Sequence, residues 1–235
     1  MILKRWDDLP EQFKNDSVKE YYDILNKKKF SLFLKRIFDI VVSATMLLIL
    51  LPIFIVLAII IKVDSKGPVF YRQIRITQYG KEFKIFKFRT MVQNADKIGT
   101  QVTVNNDARV TGIGKFLRKF RLDELSQLID VLRGTMTFVG VRPEVPKYVE
   151  HYNDEMLATL LLPAGITSMT SIFYKDESKL LEASEDTDKT YIEEILPQKM
   201  ECNLKGIKNF SFINDIKVMF MTVAAVLGKD FTENN

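Results

Sequence analysis

The chain has 235 residues, 47% hydrophobic and 27% charged, with a formal net charge of +4. A single cysteine (Cys202) and a single histidine (His151) exclude a disulfide framework, a cysteine metal site and a histidine metal cluster. The mild basic excess comes without an RNA-binding signature or zinc-finger spacing, so it points to an anionic membrane leaflet and not to nucleic acid. His151 lies among residues 148–154, which read as a polar helix surface, so a serine-histidine triad has no support and any chemistry falls to carboxylates or lysines.

Residues 1–34 form a polar N-terminal extension. WDDLPEQFKNDSVKEYYDILNKKK lacks the apolar core and small-residue cleavage site of a signal peptide. Val18, Tyr22, Ile24 and Leu25 predict one amphipathic helix within it. Residues 35–62 follow as the apolar element. The 22 residues from Ile40 to Ile61 carry no charge and would reach about 33 Å as a straight helix, enough to cross a bilayer. Pro52 sits at the midpoint, where it lacks the amide that would bond the Leu48 carbonyl. Both flanks are basic: Lys27, Lys28, Lys29, Lys35 and Arg36 precede the element, and Lys62, Lys66, Arg72 and Arg75 follow it. Two readings stand from these residues: a helix-break-helix that enters and leaves by one face, or a single proline-kinked span.

Residues 63–235 read as one compact domain of α+β class, mainly helical with a small β-hairpin. PVFYRQIRI, TQYG and KEFKIFKFRTM have the composition of strand, turn and strand, with the alternation slipping at Ile85-Phe86 in the manner of a bulge. Lys84, Lys87 and Arg89 interleave with Phe83, Phe86 and Phe88, a pattern that reads as a solvated strand face. From Lys115 the basic stretch KFLRKFR runs into LDELSQLIDVLRG. Leu122, Leu125, Leu128, Ile129 and Leu132 recur at helical spacing, and Gly134 closes the segment as a C-cap. Asp123 and Glu124 then lie in a first turn, either as ordinary complements to the helix dipole or as a catalytic pair. TFVGVRPEVPKY follows as a loop carrying Arg142. An acidic helix is expected around Glu182–Asp188, and the apolar run Val218–Leu227 is too short to cross a membrane and suits a core or interfacial helix.

The order of these pieces is informative. KRIFDIVVSATMLLILLPIFIVLAIIIKVDSKGPVFYRQIRI, KFRTM, LRKFRLDELSQLIDVLRGTMTFVGVRPE and the late NDIKVMFMT together resemble the bacterial sugar transferases of the monotopic polyprenyl-phosphate phosphoglycosyl transferase family, in its small form. The resemblance runs from about Lys35 to Leu227. It implies transfer of a sugar phosphate from a UDP-sugar to undecaprenyl phosphate, with release of UMP, Mg²⁺ as cofactor and a covalent aspartyl-phosphosugar intermediate. By motif position Asp123 is the nucleophile and Glu124 its Mg²⁺-binding partner. Arg118 and Lys87 match phosphate-contacting positions, Arg142 and Pro143 the nucleotide-binding loop, and Asp215 a further active-site residue. The apolar element becomes a reentrant membrane helix broken at Pro52, among inner-membrane lipids on the cytoplasmic face, with a homo-oligomer left open. The chain departs from the family at Leu51, where serine usually precedes the proline, at GVRPE in place of GPRP, and at SMTSIFYKDES, where a Gly-Trp-rich continuation is common. Two rivals remain: a non-catalytic membrane-anchored subunit of a polysaccharide assembly complex, and a glycosyltransferase that passes the sugar alone and releases UDP.

Overall fold

The structure, a computed structural model, describes residues 3–93, 95, 107–174, 186–229 and 231. Helix α1 (Asp16–Lys27) starts where the Asn15 side chain accepts from the Val18 amide at 2.9 Å. Its buried stripe of Val18, Tyr21, Tyr22 and Leu25 joins Leu3, Leu9 and Phe13 against Leu161, Leu204, Ile207 and Phe210. The N-terminal segment is polar by composition, yet its apolar residues Leu3, Leu9, Phe13, Val18, Tyr21, Tyr22 and Leu25 enter the core, whereas Phe30 and Phe33 stay exposed.

Helix α2 (Lys29–Asp64) runs for 36 residues, and its helical pattern continues through Pro52. The expected break does not appear as an interruption of the helix: one lost amide leaves the remaining ladder to carry the turn. Leu32, Lys35, Asp39, Ser43, Phe54, Leu57 and Ile61 form a buried stripe at intervals of three and four, bridged by half-buried Leu47 and Leu50. Leu48, Ile49, Leu51, Ile53, Ile55 and Val56 face outward. The remainder of the fold holds both ends of α2. At the start, Lys35 donates to the Val139 carbonyl at 2.6 Å and Arg36 to the Val131 carbonyl at 2.7 Å. At the end, Arg89 donates to the carbonyls of Ser65 at 2.6 Å and Lys66 at 2.8 Å.

Strands β1 (Phe70–Ile76) and β2 (Glu82–Phe88) form the antiparallel hairpin, with an unbroken register from Phe70 opposite Phe88 to Ile76 opposite Glu82. No bulge is present. The alternation slips because the end of β2 is covered on both sides: Phe83 and Ile85 pack with Leu128 and Val131, whereas Phe88 packs with Phe54, Ile61 and Leu117. The solvated face fails for the same reason. Lys84 is exposed, but Lys87 is half-buried and Arg89 is buried.

Helix α3 (Gly112–Lys119) ends before the acidic pair, and Arg121 turns the chain with φ 52°. Leu122–Gln127 is a 3₁₀ segment, and only Leu128–Arg133 is α-helical (α4). The single helix expected here is split because its apolar stripe serves two clusters. Leu122 and Leu125 pack beside Phe88 and Leu117, whereas Leu128 and Val131 pack beside Phe83 and Ile85. Gly134 caps α4 with φ 84°, as its position suggests.

A parallel strand pair, β3 (Met136–Val139) and β4 (Ala164–Thr167), was not foreseen from the pattern. Beyond it come the short helices α5 (Pro146–Val149) and α6 (Met169–Phe173), then a helical turn, Thr187–Thr190. A π-helical turn, Tyr191–Ile195, leads into α7 (Leu196–Lys208), and α8 (Phe212–Val226) ends the fold. Residues 182–185 of the expected acidic helix and 175–178 of SMTSIFYKDES lie outside the described residues. In α8 Val218 is buried, while Ile213, Phe220, Val223 and Val226 are exposed, so the helix has an outward apolar face.

At the strand ends Gly165 lies so close to Gly140 that a Cβ would overlap the Gly140 backbone. Gly165→Ala should cost about 1–3 kcal/mol or more, lowering the thermal unfolding midpoint by roughly 2–12 °C. Gly206→Ala, on an open face of α7, should raise it slightly in the same assay, because glycine weakens a helix interior.

Candidate active site

The hairpin, α3, the 3₁₀ segment and the loop after β3 enclose an open cleft of about 1480 Å³. Cations dominate its lining: Arg72, Arg75, Lys87, Arg109, Arg118 and Arg142 face it together with Asp123 and Glu124. Of the residues singled out in the sequence, Lys87, Arg118, Asp123, Glu124 and Arg142 thus meet in one place, drawn from four separate segments.

The two carboxylates differ in their surroundings. Consecutive residues of a 3₁₀ turn point about 120° apart, and here they find different partners. Glu124 Oε1 accepts from Arg142 Nη2 at 2.9 Å and from Lys87 Nζ at 3.4 Å, and Arg121 lies 4.0 Å from Oε2. Burial alone would raise the Glu124 carboxyl, but Arg142 and Lys87 outweigh it and hold the group well below the usual carboxylate range. Asp123 is raised, first by burial and then by the adjacent Glu124 charge, with Lys87 and Arg118 opposing. Among the described residues no side-chain donor is hydrogen-bonded to its carboxylate. Burial also lowers the Lys87 ammonium and the Arg118 guanidinium, whose Nε donates to Thr90 at 2.9 Å.

Other sequence-singled residues lie apart. Pro143 is buried behind the cleft wall, where its carbonyl accepts from Arg75 Nη1 at 3.1 Å. Asp215, on α8, accepts from Lys35 at 2.5 Å in a separate cluster with Asp39, Phe138 and Phe212, away from the cleft. Pro52 is on the outward face of α2. Arg75 was read only as a basic flank, yet it lines the cleft. The signal was in the hairpin parity: Tyr71 opposes Lys87, so Tyr71, Gln73 and Arg75 share the Lys87 face.

The carboxylates should affect stability in opposite directions at pH 7. A raised carboxyl is one whose ionised form the fold disfavours, so Asp123→Asn should raise the unfolding midpoint. A depressed carboxyl contributes stability above its unfolded value of 4.5 and loses it as pH falls through the folded value. Glu124→Gln should therefore lower the midpoint, by an amount that shrinks as the medium is acidified. Thermal scans of both variants from pH 8 to about pH 2.5 check this, since the Glu124 contribution is lost only below the unfolded value, and shifts of equal sign at pH 7 would contradict it.

A chain from Klebsiella pneumoniae named UDP-glucose:undecaprenyl-phosphate glucose-1-phosphate transferase is 38% identical over 195 residues, which cover 80% of this chain and 39% of that one. An Aeromonas hydrophila UDP-N-acetylgalactosamine-undecaprenyl-phosphate N-acetylgalactosaminephosphotransferase is 33% identical over 198 residues, covering 83% and 44%. The exopolysaccharide production protein ExoY of Rhizobium meliloti is 30% identical over 207 residues, covering 82% and 84%. The chain thus spans about two-fifths of the first two relatives and most of the third. Residues 30–229 match the family described as bacterial sugar transferase. The match takes in both ends of α2, the hairpin, the 3₁₀ segment and α8, and places the chain in the bacterial sugar transferase family.

Proposed function

We propose that this chain is a phosphoglycosyl transferase that moves a sugar 1-phosphate from a UDP-sugar to undecaprenyl phosphate and releases UMP, as the first membrane step of glycan assembly. The relatives are named for this reaction type. One observation carries the reading: of two adjacent carboxylates in a cationic cleft, Glu124 is ion-paired, and Asp123 has no side-chain donor among the described residues. A half-buried carboxylate so placed is a nucleophile held among charges that offset the repulsion of a diphosphate.

In the first step the Asp123 carboxylate attacks the β-phosphorus of the donor. The bond from that phosphorus to the bridging oxygen breaks, and UMP leaves with the oxygen. The phosphate of undecaprenyl phosphate then attacks the same phosphorus, and the Asp123 carboxylate is regenerated. Arg118 and Lys87 face the phosphates, and Arg142 holds the nucleotide end. The donor set fits Mg²⁺, which takes one or two carboxylates with the rest of its shell from phosphates and water: Glu124 offers Oε2, 4.0 Å from Arg121, and Asp123 is adjacent. Bound there, the ion would neutralise charge on the diphosphate.

A reentrant α2 in the inner membrane, with the domain on the cytoplasmic face, completes the proposal. It is supported by the ties at both ends of α2: Lys35 and Arg36 on one side and Arg89 on the other bind the helix to one domain. Single cysteines at Glu20 and Lys66 should both label from the cytoplasmic side, and labelling from opposite sides would exclude the reentrant form.

Donor alone should leave a phosphosugar on Asp123 and release UMP before any lipid is added. Asp123→Asn should abolish both, whereas Glu124→Gln should retain a trace of adduct that rises with Mg²⁺. UDP in place of UMP would establish the sugar-only rival, and no nucleotide at all the non-catalytic one. Arg142→Ala should raise KM for the donor by about 10- to 150-fold, the equivalent of a charged hydrogen bond worth about 1.5–3 kcal/mol. An unchanged KM with a collapsed kcat would move Arg142 from binding to the transition state.

A further inference from the structure

Directly behind the Arg142 loop lies a buried polar cluster that the proposed reaction does not use. Glu144 Oε1 accepts from the Tyr191 hydroxyl at 2.6 Å and from Lys199 Nζ at 3.4 Å, and Lys199 also donates to the Tyr191 hydroxyl at 2.9 Å. Glu144 and Lys199 are each 7% exposed and Tyr191 is 4% exposed. We propose that Glu144, Tyr191 and Lys199 are positioning residues that set the orientation of the Arg142 loop, and through it the affinity for the nucleotide end of the donor. This rests on the UDP-sugar reading above.

The loop is held from two directions. Its backbone is tied to β1: the Pro143 carbonyl accepts from Arg75 at 3.1 Å and the Glu144 carbonyl from the Ile76 amide at 2.9 Å. Its side-chain anchor is Glu144, which reaches the π turn Tyr191–Ile195 and the first part of α7. Pro143 stands between Glu144 and Arg142, and its ring fixes φ at the one intervening residue. An orientation imposed at Glu144 is therefore passed to Arg142 with little slack. Just after the loop, Tyr148 packs its ring on Tyr191 at 4.4 Å, so the same tyrosine supports both sides of the turn.

A purely stabilising core would not need this chemistry. A buried ion pair costs several kcal/mol of desolvation, and well-packed apolar residues of similar volume are often as stable or more so. What a fully bonded polar cluster supplies is direction, since its hydrogen bonds are satisfied in one arrangement. A single turn of π-helix, rare in ordinary helices and frequent near functional sites, carries one of the three groups.

The test is a double-mutant cycle read by UMP release, with donor KM, kcat and unfolding midpoint measured for each protein. Tyr191→Phe keeps the ring and removes the hydroxyl. It should raise donor KM by about 3- to 10-fold, less than the direct loss of a charge-assisted hydrogen bond because the effect reaches the donor only through the loop, and leave kcat within twofold. In an Arg142→Ala background the same change should move KM by less than twofold, because the group through which it acts is already gone. Should Tyr191→Phe fail to fold, Glu144→Gln takes its place in the cycle, keeping the acceptor and losing the charge, and should be milder than Glu144→Ala. A lowered midpoint with unchanged KM would overturn the inference, as would equal KM effects in both backgrounds. Wild-type protein that releases no UMP overturns the functional reading and this inference with it. Additive effects in protein that does release UMP overturn the inference alone.

Discussion

The enclosure of strand β2 between two apolar clusters is the constraint on which the rest depends. Phe83 and Ile85 look into one cluster and Phe88 into the other, which leaves Lys87 half-buried at the covered end of the strand. A lysine so placed needs a counter-charge, since desolvation of an unpaired ammonium is costly. Glu124 provides it, and Arg142 shares the same oxygen. The two clusters also divide the leucine stripe of residues 122–132, so a continuous α-helix cannot serve both. The chain answers with the left-handed turn at Arg121 and the 3₁₀ segment that presents Asp123 to the cleft. Core packing and site geometry are here one solution.

The same clusters carry the apolar helix α2 into the site. The first half of α2 packs with β3 and α8, and the second half packs with Phe88 and α3. Along its whole length one face meets protein while the other is a row of exposed aliphatic side chains. The outward face of α8 adds to that apolar surface, and Phe38 of α2 meets Phe212 of α8 with ring centroids 5.6 Å apart. Arg118 belongs to the helix whose buried side rests on α2. The cationic cleft therefore opens beside the apolar surface, as the proposed reaction requires of a site that takes one water-soluble and one lipid-borne substrate.

Much of this was legible in the residues. Helix α1, the apolar α2, the hairpin and the Gly134 cap follow from spacing and turn chemistry, because each depends on neighbours within a few positions. The convergence of Lys87, Arg118, Asp123, Glu124 and Arg142 came from order along the chain, through family resemblance. The remainder was illegible for physical reasons. Strands β3 and β4 are four residues each and almost wholly buried, so they show no alternation to read. Lys87 and Arg89 looked solvated because charge pattern reports composition and not cover. Asp215 lay in a familiar motif, yet what places it is a contact with Lys35, 180 positions away. Arg75 needed the hairpin register, which the turn alone does not fix.

The adjacent carboxylates show how far sequence neighbours can diverge. A 3₁₀ turn separates their directions, and the cleft does the rest: Arg142 and Lys87 hydrogen-bond Glu124, whereas Lys87 and Arg118 act on Asp123 electrostatically. Each ion pair that pulls Glu124 down fixes its charge, and that charge in turn pushes Asp123 up. The anchored acid, Glu124, and the unbonded acid, Asp123, are thus coupled. Glu124 gives up mobility for a fixed negative charge, and among the described residues no side chain bonds the Asp123 carboxylate. A pair with equal surroundings would share its cations and lose that division of roles. The division follows from where the loop after β3 sets Arg142, which is why the buried anchor behind that loop bears on the chemistry in front of it.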